Sequence, residues 1–308
     1  MSALLGVVAQ LLHLMLVLAA APVLAGLVAR LEARMQGRTG APVLQPLRDM
    51  GRALRVIPVV AEGASWLFRA APGVRLAVLV VAAALVPSFT RHMVLAPAAD
   101  LVVIVGLLAL ARAIGALGAM DEGAAASGHG AAAALGRGAM AAPAVLLVVF
   151  ALALASGGTG LAEVLGAVAE DAPGLLPASL PLALALVLVA AADDEVGVAG
   201  EGVTGEASGR HAALLAAGDA LRRLVWMGLA AALFVPPFLP VARVDPAWVL
   251  GDWLIFLPVW MAKMALLAVG VAAARSLARW PVAPGVLGIA ALLAVLGVVM
   301  LFAGQALR

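Results

Sequence analysis

One stretch of this chain gathers the side chains best suited to exchange protons. It contains Asp193, Asp194, Glu195, Glu201, Glu206 and Asp219. Burial near a membrane and repulsion between neighbouring carboxylates both raise the pKa of such groups toward neutral pH. A proton relay is therefore one interpretation of the stretch, and a solvated acidic loop is the other.

A single lysine, Lys263, lies well inside a later apolar segment. A charge at that depth is costly in hydrocarbon, so we expect the side chain to face other helices or a wet cavity. It either extends an ion path or donates hydrogen bonds to the carbonyls of a neighbouring helix.

Other chemistry has little support in the sequence. The chain has no cysteine, so it has no thiolate ligands for zinc or an Fe–S cluster, and its four histidines share no metal-ligand spacing. We expect no catalytic residue, no metal site and no redox centre in this chain. Nucleic acid is not an expected partner either, because the 19 basic residues lie mostly beside apolar segments.

The composition predicts an all-α integral membrane protein. Of 308 residues 65% are hydrophobic and 12% are charged, and the mean hydropathy is +1.15. Soluble domains carry about 25% charged residues. A helix needs roughly 20 apolar residues to cross the bilayer, and eight segments approach that length. The predicted spans are 3–29, 74–96, 101–120, 140–155, 176–192, 224–239, 253–274 and 285–303.

The basic residues predict the orientation of these spans. Fifteen arginines flank the loops after odd-numbered spans, whereas Arg91, Arg243 and Arg308 lie on the other side. Because basic loops stay in the cytoplasm, both termini are predicted to lie on the outer side of the membrane. That membrane is expected to be the cytoplasmic (inner) membrane of a bacterium or archaeon. The fifteen are Arg30, Arg34, Arg38, Arg48, Arg52, Arg55, Arg69, Arg75, Arg112, Arg137, Arg210, Arg222, Arg223, Arg275 and Arg279. The first span is predicted to remain in the protein rather than to be cleaved as a signal peptide, because it lacks a basic n-region.

The chain is predicted to form one transmembrane domain, residues 1–308, with two cytoplasmic loops of interest. The first, residues 30–73, contains Leu47, Met50 and Leu54 at helical spacing, with arginines around the rest of the wheel. This pattern predicts a helix in the plane of the membrane interface. It serves either to bind anionic lipid or to dock a cytoplasmic partner. The second loop, residues 193–219, is the acidic one.

Four motifs resemble the subunit 1 family of respiratory complex I, in particular its branch from formate hydrogenlyase and other energy-converting nickel–iron hydrogenases. They are residues 37–49 (GRTGAPVLQPLRD), residues 64–72 (ASWLFRAAP), Arg112 with residues 117–121 (LGAMD), and residues 206–211 (EASGRH). They occur in the order expected of the family and extend over nearly the whole chain. The Arg48–Asp49 pair is similar to the hydrogenase branch rather than the complex I branch.

The resemblance implies a non-catalytic membrane subunit of a multisubunit redox complex. Its partners would be a hydrogenase-like large subunit and an Fe–S small subunit on the cytoplasmic side, antiporter-like membrane subunits, and lipid. Fe–S clusters and a nickel–iron or other redox centre would lie in those partners, and quinone would be used in a complex I-like variant. The implied docking residues are Gln45, Pro46, Arg48, Asp49, Arg52, Arg69, Arg112, Asp121 and Arg210. The implied proton path runs through Glu195, Glu201, Glu206, Asp219 and Lys263, with Asp193 and Asp194 as weaker candidates.

The chain departs from the family at several acidic positions. Alanines stand at Ala134, Ala142 and Ala216 where the family usually carries glutamate. Asp219 lies one helical turn after Ala216 and could replace the carboxylate lost there. These departures leave a second hypothesis open, a structural anchor that conducts no ions. A third hypothesis, an independent transporter, predicts polar clusters at mid-membrane depth, for which only Lys263 and Asp219 qualify.

Overall fold

The computed structural model describes residues 2–60, 63–91, 93–170, 172–192, 207–234, 246–277 and 283–306. Within these ranges the chain forms ten α-helices and one 3-10 turn, Ala96–Ala98, and no extended strand. The helices are α1 (Ser2–Met35), α2 (Gln45–Ala53), α3 (Trp66–Leu85), α4 (Leu101–Asp121), α5 (Ala125–Ser156), α6 (Leu161–Glu170), α7 (Ala172–Ala192), α8 (Gly209–Phe234), α9 (Pro246–Leu277) and α10 (Ala283–Ala306). The predicted all-α class is confirmed.

Six of the described helices, α1, α3, α4, α5, α9 and α10, are long and apolar enough to cross a membrane. A shorter apolar helix, Ala178–Ala192, lies within α7. The remaining long helix, α8, carries Arg210 and Asp219 in its first half and Arg222 and Arg223 at its middle, although most of its 26 residues are buried. The membrane class is thus confirmed, while the crossing of α8, the sixth predicted span, stays a prediction.

The predicted boundaries of the second span, 74–96, are wrong at both ends. Helix α3 begins at Trp66, where the Oγ of Ser65 accepts a hydrogen bond of 3.1 Å from the backbone N–H of Leu67. Serine is a favoured cap at this position. The helix ends at Leu85 because Pro87 disfavours helical geometry at Val86, which has φ −89° and ψ 116°.

Two other helices are longer than their predicted spans. Helix α5 begins at Ala125, because the alanines before residue 140 are strong helix formers, and it ends before Gly157 in the left-handed conformation (φ 79°). Helix α8 begins at Gly209 rather than residue 224. Both predicted loops are therefore shorter in the structure than in the prediction. The first spans residues 36–65 rather than 30–73, and residues 209–219 of the second are helical. Helix α6 was not predicted.

Several chain segments meet at what we call the first-loop end of the bundle, where α1 ends and α3 begins. The first loop folds back over α1 so closely that a Cβ on Gly26 would lie 1.9 Å from the Val43 carbonyl oxygen. Glu32 of α1 and Arg275 of α9 form an ion pair of 3.3 Å at the same end. The first of these contacts joins the first loop to α1, and the second joins α1 to α9.

At the opposite end, side chains of α1 satisfy the last carbonyls of α3. His13 Nε2 donates to the Ala83 carbonyl over 2.9 Å, and its Nδ1 lies 2.7 Å from Ser88 Oγ. Gln10 donates to the Ala84 carbonyl over 3.1 Å. The last carbonyls of a helix have no partner within it, so these polar residues have a structural reason to be buried in α1.

Candidate functional site: a buried ion pair beneath a basic surface

Arg75 of α3 and Asp219 of α8 form an ion pair in the interior of the bundle. The Arg75 side chain has no exposed surface, and that of Asp219 is 7% exposed. Arg75 lies near the middle of α3, so about 14 Å of helix separates it from each end at roughly 1.5 Å per residue. Arg75 was predicted to lie in the first loop, and that prediction is wrong.

Two glycines make room for the Arg75 side chain. A Cβ added to Gly115 of α4 would lie 3.1 Å from Arg75 Cδ and 3.2 Å from Nε. A Cβ on Gly218 of α8 would lie 3.9 Å from Nη1 and 3.3 Å from Leu79. The guanidinium therefore occupies space that side chains at these two positions would fill, and fully buried Leu79 packs directly beyond it.

A cavity of about 460 Å³ reaches Asp219 between α1, α2 and α8. Charged residues lie at three places on its wall: Asp49 of α2, Asp219, and Arg223 one turn later. Much of the rest is alanine, whose small side chains leave the space open. The other lining residues are Ala25, Pro46, Met50, Ala53, Ala212, Ala213, Ala216 and Ala220. Asp219 thus lies between Arg75 on one side and the cavity on the other.

Helix α2 and the neighbouring residues present a basic surface at the first-loop end. Arg48, Arg52, Arg69 and Arg210 are all exposed. Asp49 accepts hydrogen bonds from Gln45, over 3.0 Å, and from Arg52. Gln45 therefore holds Asp49, while Pro46 packs close to α1 at Gly26. The predicted helix is present, and its location in the plane of the membrane interface stays a prediction. Leu47 on this helix and Leu54 just after it are exposed.

An extended segment, residues 56–59, lies across the N-terminus of α8, and we call it the strap. Ser208 Oγ accepts from the Val59 N–H over 2.7 Å, and the Arg210 N–H donates to the Val56 carbonyl over 3.2 Å. Gly209 has φ +53°, and a Cβ there would lie 2.5 Å from the Val56 oxygen, so glycine is required. The motif that contains Ser208 and Arg210 was evident in the sequence, whereas the strap was not predicted.

The strap and the start of α3 expose large apolar side chains. Ile57 is 82% exposed, Val59 78% and Trp66 76%. Because the strap lies over the N-terminus of the mostly buried helix α8, these side chains are at the end of the bundle rather than on its lipid-facing flank. An apolar patch of this kind commonly marks a protein interface.

Two of the residues predicted to dock a partner make contacts within the bundle instead. Arg112 is half-buried in α4, and a Cβ on Gly138 of α5 would collide with its guanidinium. Asp121 accepts hydrogen bonds from the backbone N–H and Oγ of Ser65, over 2.9 and 2.8 Å, and from the Phe68 N–H over 3.1 Å. Arg112 therefore lies between helices, and Asp121 anchors the start of α3.

His211 lies in the first turn of α8 against α3. Its ring meets that of Phe68 edge to face, with centroids 5.8 Å apart. Burial, and then the positive charges of Arg210 and Arg69, lower the pKa of His211. The residue belongs to the fourth sequence motif, but the prediction gave it no role.

Lys263 is buried in α9, with 8% of its surface exposed, as its position in an apolar segment predicted. The positive charge of Arg91 lies within electrostatic reach of it. Burial lowers the pKa of Arg91, which lies outside the helices. Five of the predicted path residues, Asp193, Asp194, Glu195, Glu201 and Glu206, fall outside the described residues.

The described residues form a helical bundle with six helices long and apolar enough to cross a membrane, and a short helix follows the first of them. An ion pair is buried between α3 and α8. This architecture is that of a polytopic membrane protein. The chain belongs to the NADH dehydrogenase family, whose model matches residues 7–283. The resemblance to subunit 1 of respiratory complex I is thereby confirmed.

Within this family the chain is similar to two proteins of Escherichia coli. Formate hydrogenlyase subunit 4 is 28% identical over 241 residues, which are 73% of this chain and 76% of the relative. Hydrogenase-4 component C is 30% identical over 226 residues, 70% of this chain and 71% of the relative. A chain in the structure of the membrane-bound sulfane sulfur reductase, an archaeal respiratory membrane complex, matches the fold with a TM-score of 0.70. That match is 18% identical and covers 93% of this chain and 98% of the other.

Proposed function

We propose that this protein is the membrane subunit of a hydrogenase-type redox complex, where it docks the water-soluble redox subunits and couples their reaction to proton movement. Its similarity to two hydrogenase components over about 70% of its length carries this proposal. The redox centres belong to the partners. These are a hydrogenase-like large subunit and an Fe–S small subunit, with antiporter-like subunits beside it in the membrane.

Docking is assigned to the first-loop end, which by the distribution of arginines faces the cytoplasm. Exposed Arg48, Arg52, Arg69 and Arg210 lie at the same end of the bundle as the apolar strap. Interfaces combine apolar anchors with complementary charge, so a soluble subunit with an acidic, partly apolar contact surface fits here.

Coupling is assigned to the carboxylates of the predicted proton path, of which Asp219 lies within the described part of the chain. Asp219 is held by Arg75 in the interior, while the cavity reaches it from the side of α2. Ionisable residues at such depth are costly and commonly mark ion pathways. Glu195, Glu201 and Glu206 would lead from the soluble arm to this point, and Lys263 would lie further along the path.

Co-purification tests the docking proposal directly. A tagged chain, extracted in mild detergent, should bring down a hydrogenase-like large subunit and an Fe–S small subunit, identified by mass spectrometry. Replacing both Ile57 and Val59 by alanine should release the soluble subunits but retain the membrane partners. The matched control is Leu292→Ala, which removes an equally exposed apolar side chain (71%) from α10. Recovery of the chain without any redox subunit would contradict the proposal.

Coupling is tested in vesicles that contain the whole complex. Asp219→Asn, Glu201→Gln and Glu206→Gln should each leave the redox reaction measurable while lowering proton movement per turnover. Glu122→Gln, which alters a carboxylate just after α4, serves as the control. If assembly and proton movement both persist in all three variants, the protein is a non-conducting anchor. If the purified chain alone moves a solute across liposomes, it is a transporter.

The cavity favours a second candidate function, the quinone-site subunit of a quinone oxidoreductase. Its walls are mainly apolar, and it lies between α2 and two bundle helices. In that case a redox complex purified with this chain would reduce a quinone analogue, and enlarging Ala216 to leucine would raise the KM for that analogue.

A further inference from the structure

The segment between α3 and α4 lies partly inside the bundle rather than on its surface. We call residues 86–91 and 93–95 of this segment the plug. Five of its side chains are only 4–5% exposed: Val86, Ser88, Phe89, Thr90 and Met93. Irregular backbone in the interior of a membrane protein is tolerated where protein encloses it or where it lines a cavity. We propose that the plug and Lys263 of α9 close the end of the bundle opposite the first loop to protons and other cations.

Two polar residues of α1 hold the plug in place. Gln10 donates a hydrogen bond to the Ala84 carbonyl over 3.1 Å and accepts one from the Leu95 N–H over 3.3 Å, so it joins the two ends of the plug. Between these ends, His13 Nδ1 lies 2.7 Å from Ser88 Oγ. The plug is thus tied to α1 at three points along its length.

The plug is also packed against α8 and α9. The Phe89 ring meets that of Trp253 edge to face, with centroids 5.6 Å apart. A Cβ on Gly228 of α8 would lie 3.2 Å from Val86, so the plug and α8 are in close contact. Gly228 lies nine residues beyond Asp219, which is about 14 Å along the helix. The plug therefore lies between Asp219 and the opposite end of the bundle.

Two positive charges lie at the plug. Lys263 is 8% exposed, and Arg91 in the plug is close enough for its charge to act on Lys263. The Nε of Arg91 is buried, and no group in the described part of the chain accepts a hydrogen bond from it. Charges in such a poorly solvated place interact strongly, because little water screens them. A proton or another cation that enters between them is repelled by both, as cations are by the arginine barriers of selective membrane pores.

A barrier at this position would protect the ion gradient that the complex generates. A passage open at both ends would let protons return across the membrane without any redox turnover. The inference rests on the proposed function only in placing Lys263 on the proton path. It adds that the path has no outlet at the opposite end, because Arg91 and Lys263 exclude cations there.

Passive proton entry into sealed vesicles tests the plug. The vesicles contain the whole complex without redox substrates, a pH step is imposed, and a trapped pH-sensitive dye reports the rate. The neutral double variant, Arg91→Gln/Lys263→Gln, removes both charges but keeps groups that form hydrogen bonds, so proton entry should be at least tenfold faster. The matched control, Arg91→Lys/Lys263→Arg, changes the same two side chains, retains both charges and should leave the rate unchanged.

Two outcomes refute the inference. An unchanged rate in the neutral double variant shows that the charges do not exclude protons, and equal leaks in both double variants show that packing rather than charge closes this end. If the neutral double variant does not assemble, single substitutions of Arg91 decide, since this residue lies outside the helices. Arg91→Glu should then leak faster than Arg91→Gln, and any other order refutes the barrier.

Passive entry is also measurable with the full chain alone in liposomes, which separates the plug from the proposed function. If the neutral double variant leaks and its control does not, but no redox subunit co-purifies with the chain, the plug stands and the proposed function fails. If redox subunits co-purify but the neutral double variant remains tight, docking is unaffected and the plug is refuted.

Discussion

Arg75 and Asp219 pair across the interface between α3 and α8, although 144 residues separate them in the chain. The pair connects the second span to the helix whose N-terminus carries the strap. Both side chains are desolvated, so each needs the other's charge to be tolerated in the interior. The pair is therefore a structural tie between these helices as well as the candidate end of a proton route.

Replacing Arg75 by methionine should destabilise the protein strongly. The Asp219 carboxylate would remain buried without its charged partner, which typically costs about 3–5 kcal/mol. Thermal unfolding in detergent measures the effect. The double variant Arg75→Met/Asp219→Leu removes both charges and should recover most of the loss. If the double variant unfolds at the same reduced temperature as the single variant, the unpaired charge of Asp219 is not the cause of the loss.

Much of the fold could be predicted from hydropathy, because long apolar segments in a chain with 12% charged residues have few alternatives to membrane helices. Helix α2 was also predictable, from the helical spacing of Leu47, Met50 and Leu54. The ends of the helices were harder to predict from the sequence. Ser65 before Trp66 is a cap signal that places Arg75 inside α3, but the charge of Arg75 suggested a loop instead.

The site depends on contacts that a linear pattern does not contain. Asp219 was predicted from its position one turn after Ala216, yet its partner Arg75 required knowledge of which helices pack together. The strap was missed because residues 56–59 have no helical spacing, and their hydrogen bonds go to Ser208 and Arg210 far along the chain. Asp121 was matched to a motif, but the motif did not indicate its three hydrogen bonds to the start of α3.

Gly118 should be essential for the close approach of α4 to α3. A Cβ there would lie 2.5 Å from the Cβ of Ala71, so Gly118→Ala must push the two helices apart. Overpacking of this kind costs about 1–3 kcal/mol. Gly106→Ala is the matched control, since it lies on the same helix and a Cβ there meets nothing within 4 Å. Thermal unfolding should separate the two variants, and equal stability would show that the interface adapts without cost.

Acidification should weaken the packing of α8 on α3 at His211. The pKa of His211 is lowered in the folded protein from its usual 6.5, so the unfolded chain binds a proton more readily than the folded one. This contribution to stability is complete above pH 6.5 and is lost as the pH falls from 6.5 through the folded pKa. His211→Phe should reduce the change in unfolding temperature between pH 7.5 and pH 5.5. A change as large as in the unaltered protein would assign the effect to other groups.

The role of Asp121 can be decided by comparing the isolated subunit with the assembled complex. If its carboxylate caps α3, then Asp121→Ala lowers the unfolding temperature of the subunit alone, because two backbone N–H groups and the Ser65 hydroxyl lose their acceptor. Ser65→Ala removes the other half of the same cap and should cost about 1 kcal/mol. The two losses should not add, since the residues act through one hydrogen-bonded group. A docking role predicts the reverse: the isolated Asp121→Ala subunit unfolds normally, and only its retention of soluble subunits declines.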